Sequence, residues 1–111
     1  MGESRLPKSL GRVLERYVRA FAPERIVLFG SYAKGTSQQK SDIDLLIVAD
    51  LVGDASRLLR RAHQLAADCF PPVDVVFATP EDVEKATTIE NTFLLSILGS
   101  GFTIYRRDQS R

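Results

Sequence analysis

Three short apolar runs, separated by segments of helical period, constrain this chain more than any other feature. The first is Ile26, Val27, Leu28 and Phe29, closed by Gly30. The second is Asp42-Ile43-Asp44-Leu45-Leu46-Ile47-Val48, which opens with two acids. The third, Val73-Asp74-Val75-Val76-Phe77, carries an acid inside it. Runs this short, rich in β-branched residues and bounded by Gly, Pro and polar residues, read as buried strands.

The segments between them read as helices. Leu10, Val13, Leu14, Tyr17, Val18 and Phe21 recur at helical spacing, with Arg12, Glu15, Arg16 and Arg19 on the other face, and Pro23 ends the pattern. Leu58, Leu59, Ala62, Leu65, Ala66 and Cys69 mark a second helix, broken by Pro71 and Pro72. Thr79-Pro80-Glu81-Asp82 resembles a helix start: Thr79 can cap, Pro80 suits the first helical position, and acids favour the positive helix end. Phe93, Leu94, Ile97 and Leu98 predict a last helix, ended by Gly99 and Gly101, and residues 102–105 can form a terminal strand. Strands alternating with helices predict an α/β fold: a small mixed sheet of three to four strands flanked by helices.

A chain of 111 residues, 44% apolar by composition, is expected to form a single domain over residues 1–111. That length leaves no room for a second substrate-binding domain. The formal charge of +1, with both signs interspersed, argues against direct nucleic-acid binding. A lone Cys69 excludes an intramolecular disulfide and a Cys-based metal site. Residues 1–8 lack the apolar stretch of a signal peptide, and no apolar run nears the ~20 residues of a membrane span, so no leader or span is expected. The expectation is a cytoplasmic protein without a membrane partner.

Acids are costly inside apolar runs, because an ionised carboxylate buried without a partner costs several kcal/mol or more. Asp42 and Asp44 lie two apart on a strand, so they point to one face with Cα atoms roughly 6.5 Å apart. Both can reach one ion or a pair of ions, and Mg²⁺ prefers oxygen ligands. The alternative reading has Asp42 capping a turn with Ser41 while Asp44 faces water at a strand edge. Asp74 shifts the balance. An adjacent third strand would bring it beside the pair, and three carboxylates on neighbouring strands suit a two-metal phosphoryl-transfer site. As a structural residue, Asp74 would merely start a strand after Pro72.

Gly30-Ser31 ends the first strand and, if a short helix comes next, offers free backbone N–H groups and a helix dipole to an anion. Gly30 lets a phosphate approach, the Ser31 hydroxyl can donate to it, and Gly35 lets the chain turn back. A plain turn is the alternative. A P-loop is excluded, since Thr36 and Ser37, not Lys and Ser/Thr, come after Gly35. His63 is expected as a partly exposed helix residue rather than a ligand. Tyr17, Tyr32 and Tyr105 are expected to be structural, although Tyr32 can contact a nucleotide bound at Ser31.

Together, the segments around Gly30-Ser31, Asp42-Ile43-Asp44 and Val73-Asp74-Val75 closely resemble the DNA polymerase β-like nucleotidyltransferase superfamily, best its minimal nucleotidyltransferase group. The shared signature is Gly-Ser, a variable loop, Asp-x-Asp on the next strand and a third Asp on a later one. The resemblance implies that Gly30 and Ser31 bind the triphosphate and that Asp42 and Asp44 bind both metals. It implies that Asp74 binds the catalytic metal and helps deprotonate the acceptor. Many minimal members carry an arginine between the Gly-Ser and the second glycine; here the basic residue in that stretch is Lys34. A lysine offers phosphate a point charge but no bidentate fork.

The resemblance also implies the reaction: a Mg²⁺-dependent transfer, with two ions, of AMP from ATP to an acceptor hydroxyl. Minimal members are similar to the antitoxin half of a toxin–antitoxin pair. The partner there is a helical HEPN-type toxin, and the acceptor can be a tyrosine on it. The competing expectation is an antitoxin that binds and occludes its partner without catalysis. The apolar residues of 93–105 predict an exposed patch for a partner or for homo-oligomerisation.

Overall fold

The computed structural model describes residues 7–34, 42–51, 53–86, 88 and 91–107. Helix α1 (Lys8–Phe21) carries Leu10, Val13 and Tyr17 on its buried stripe. It stops at Ala22, whose left-handed backbone (φ +46°) returns an N–H to the Val18 carbonyl, with Pro23 next. Strand β1 (Arg25–Phe29) comes next and ends at Gly30. A single turn, α2 (Ser31–Lys34), leads away from it. The expected turn at Gly35 and the polar stretch to Ser41 lie outside the described residues.

Strand β2 (Ile43–Val48) pairs antiparallel with β1, so Phe29 stands opposite Asp44. Helix α3 (Ala55–Leu65) then crosses over to β3 (Val73–Ala78), which lies parallel to β2. Parallel neighbours need such a crossover. The short helix α4 (Pro80–Lys85) starts on a reciprocal capping box: Asp82 N–H donates to Thr79 Oγ1 and Thr79 N–H to the Asp82 carboxylate. Helix α5 (Thr92–Ser100) is capped by Asn91, and β4 (Phe102–Arg106) pairs antiparallel with β1. The sheet order is β3-β2-β1-β4, a mixed four-stranded sheet as expected.

Alternation along the strands splits the core in two. Ile26, Leu28, Ile43, Leu45, Ile47, Val73 and Val75 face α1 and α3. Val27, Leu46, Val48 and Ala78 face Ala86 and the Leu94 and Ile97 side chains of α5. Tyr17 is fully buried, and its hydroxyl donates to the Ala62 carbonyl at 2.9 Å, tying α1 to α3. Arg16 adds a bidentate bond to Asp68 (2.7 and 3.1 Å) and donates to the Leu65 carbonyl.

Three expectations need correction. The second helix does not reach Cys69: it ends at Leu65, and residues 66–68 form a turn before Cys69, whose side chain is buried beside Ser9. Leu59 is not part of the inward stripe. It is 37% exposed, because α3 packs through Ala62 and its neighbours. Gly99 does not end α5 but lies within it, and Gly101 is the cap. No described helix is long and apolar enough to cross a membrane.

Candidate active site

The site gathers where β1 ends and β2 and β3 begin. Parallel pairing puts Asp44 and Asp74 directly side by side in register. Paired residues on adjacent strands point to the same face. Both carboxylates therefore share a face with Leu46, Val48 and Ala78, the face that α5 covers further along. Asp42, one residue before β2, is exposed, as is Asp74, whereas Asp44 is half-buried.

Electrostatics ties the three together. Burial raises the Asp44 pKa above its ordinary value of 3.8, and the negative charges of Asp74 and then Asp42 raise it further. A group in this position holds its charge only at a cost, which a cation would remove. As the side chains lie, no group of three or more His, Cys, Asp or Glu among the described residues is set to hold a metal ion. The donor chemistry nevertheless fits a hard divalent cation: adjacent carboxylate oxygens, two of the three on exposed and rotatable side chains.

Gly30 is the other fixed element. Its φ of +78° is left-handed, and a Cβ built there would overlap Asp44 Oδ2 and stand 3.0 Å from Asp44 Cγ. Glycine is thus required twice, for the backbone and for the carboxylate lying against it. Ser31 begins α2 directly beyond. That helix is four residues long, so its usefulness to an anion rests on exposed N–H groups rather than on the macrodipole expected from the sequence. Lys34 is the last residue of α2, and its side chain lies outside the described residues.

Two features were not legible in the sequence. His63, expected as an ordinary helix residue, is exposed but lines a cavity of about 380 Å³ together with Asp42 and Asp74. Phe29, read only as core, is Asp44's cross-strand partner and meets Phe93 of α5 edge to face, ring centroids 6.4 Å apart. Neither neighbourhood leaves a periodic trace in one sequence, since each joins residues distant along the chain. Of the apolar residues in 93–105, Phe93, Leu95 and Phe102 are exposed while Leu94 and Ile97 are buried, and Phe93 and Phe102 lie on opposite faces of the sheet rather than in the single patch expected.

A family model described as "Polymerase beta, Nucleotidyltransferase" matches residues 12–110, nearly the whole chain. The chain belongs to this family. Two proteins of Methanocaldococcus jannaschii, both named "Putative protein adenylyltransferase", are similar over shorter stretches. MJ1305 is 41% identical over 51 residues, 44% of this chain and 35% of its own length. MJ0604 is 57% identical over 28 residues, 25% of this chain and 28% of its own length. The matched part thus spans about a third of these relatives. Among solved structures, a toxin–antitoxin crystallised with AMP-PNP superposes with a TM-score of 0.61 at 24% identity, covering 93% of this chain and 77% of that one. A "putative nucleotidyltransferase" from Sulfolobus solfataricus gives 0.55 at 16% identity, covering 98% and 96%. At these identities the likeness concerns the fold. It agrees with the nucleotidyltransferase fold expected from the Gly-Ser and Asp-x-Asp signature.

Proposed function

We propose that this nucleotidyltransferase is a protein adenylyltransferase, moving AMP from ATP to a hydroxyl of a partner protein. The observation that carries the reading is the in-register Asp44–Asp74 pair, with Asp42 in electrostatic reach and Gly30 cut back to admit the Asp44 carboxylate. Membership of the family and the names of the M. jannaschii relatives support the activity class. The likeness of fold to a toxin–antitoxin crystallised with a nucleotide supports an antitoxin role. A HEPN-type toxin as partner and a tyrosine as acceptor are implied by the resemblance to the minimal group.

In this reading Gly30, the Ser31 N–H and hydroxyl, and Lys34 receive the triphosphate. Asp42, Asp44 and Asp74 hold Mg²⁺, which would neutralise phosphate charge and acidify the acceptor hydroxyl. The acceptor oxygen forms a bond to the α-phosphorus as the bond to the β-phosphate oxygen breaks. Pyrophosphate leaves, and Asp74 takes the hydroxyl proton.

The test uses purified protein, Mg²⁺, ATP labelled in the α-phosphate, and the protein encoded next to it. Label should pass to that neighbour, and Asp42→Asn or Asp44→Asn should abolish transfer. An antitoxin acting by occlusion alone would neutralise its partner equally well with both substitutions in place, and that outcome would remove the catalytic reading.

A further inference from the structure

We infer that Phe93 is the platform on which the base of the bound nucleotide stacks. The inference rests on the nucleotide-binding reading of Gly30 and Ser31 and extends it to the other end of the ligand. Three observations converge.

The first is placement. Phe29 is opposite Asp44, so its side chain shares the face that holds Asp44 and Asp74. Phe93 touches Phe29 on that face, at 6.4 Å between centroids and an interplanar angle of 89°. Going across the sheet there, one meets Phe93 and Phe29, then Asp44, then Asp74. The second is exposure. Helix α5 is anchored by Leu94 and Ile97, each under 5% exposed, while Phe93 keeps 57% of its surface in water. The ring sits on a fixed helix yet contributes little to the core, leaving apolar area available to a ligand.

The third is the geometry of the reaction. In-line displacement places the attacking hydroxyl opposite the leaving pyrophosphate. Phosphates at Ser31 and an acceptor deprotonated at Asp74 occupy that line. The base, which takes no part in the chemistry, needs a flank clear of both. The Asp74 flank is taken by the acceptor and is acidic. The α5 flank is aromatic.

The platform reads the face of a base rather than its edge. Aromatic stacking is tolerant of base identity, because every base has a π-face. Adenine and guanine nucleotides should therefore bind with similar affinity.

Calorimetric titration in Mg²⁺ tests this with three probes: the α,β-methylene analogues of ATP and GTP, and inorganic tripolyphosphate. Alanine substitution of a stacking aromatic removes ~1–3 kcal/mol per base, about 5–150-fold in affinity. Phe93→Ala should weaken both nucleotide analogues by such a factor and leave tripolyphosphate within about twofold, and Phe93→Trp should restore nucleotide affinity. A melting curve matching wild type checks that the exposed substitution leaves the fold intact. Tripolyphosphate bound normally with nucleotide affinity unchanged by Phe93→Ala overturns this inference alone and gives the ring to a protein partner. Equal weakening of all three probes also overturns it. Wild-type protein that binds none of them overturns this inference and the nucleotide-binding reading together.

Discussion

Replacing Gly30 with alanine tests the joint between β1 and the acids most directly. At φ +78° an L-residue sits in left-handed backbone, which costs ~1–2 kcal/mol. The added Cβ also overlaps Asp44 Oδ2 and lies 3.0 and 3.3 Å from Asp44 Cγ and Cβ. The carboxylate must swing away, and pressing it off its rotamer adds ~0.5–1.5 kcal/mol. Less the ~0.5–1 kcal/mol that alanine gains from its narrower unfolded ensemble, the net cost is about 2 kcal/mol. With a Tm response of roughly 4 °C per kcal/mol for a domain slightly above 100 residues, Gly30→Ala should melt about 8 °C below wild type. Gly11→Ala is the control. Gly11 lies inside α1, is exposed, and a Cβ there meets nothing within 4 Å. That change should stabilise by ~0.5–1 kcal/mol. Thermal melts monitored by circular dichroism read both, and carbon-detected NMR titration reads Asp44. Displaced from its half-buried position, its carboxyl should titrate closer to 3.8 in the Gly30→Ala protein. A Gly30→Ala protein melting within a degree or two of wild type, beside a Gly11→Ala protein that gains as expected, would refute the reasoning. So would a large loss of stability with Asp44 titrating as in wild type, since the clash would then have been relieved elsewhere.

Further predictions concern charge, hydrogen bonding and backbone. An acid whose folded pKa lies above its unfolded value destabilises the fold as it ionises. The Asp44 contribution is therefore harmless below pH 3.8, grows through the window up to its raised value, and is constant above. Asp44→Asn should match wild type near pH 3 and be more stable at pH 7, and Mg²⁺ should narrow the gap. The difference between the two pH–stability curves isolates this group from Asp68, whose pKa is held down by its hydrogen bond to Arg16 and acts in the opposite sense. Tyr17→Phe removes the 2.9 Å bond to the Ala62 carbonyl and should lower stability by ~1 kcal/mol, seen as a lower denaturant midpoint at unchanged slope. Ala22→Gly relieves the left-handed residue that ends α1, at the position where helices favour glycine. After the extra chain entropy that glycine loses on folding, a gain of about 0.5–1 kcal/mol should appear in the same assay.

Much of this protein is legible along the chain because its local physics agrees with its fold. The first helix and first strand end where Pro23 and Gly30 predict, and α4 starts where Thr79-Pro80 predicts, since those residues fix or free backbone angles without help from neighbours. The same holds for Asp42, Asp44 and Asp74: a carboxylate in an apolar run is costly whatever surrounds it, so its presence marks a site. Local patterns misjudge the end of α3, where residues 66–68 keep a helical spacing but the chain turns to reach β3. They are silent where two distant segments meet. Only the parallel register of β2 with β3 sets Asp44 beside Asp74, and only the antiparallel register of β1 with β2 sets Gly30 and Phe29 against Asp44. Whether Phe93 joins the core or stands exposed against Phe29 is decided by which face of α5 the sheet accepts, and the sheet accepts Leu94 and Ile97. Periodicity states which residues share a face. Register and packing decide what that face meets, because they are chosen by the summed burial of all the elements at once.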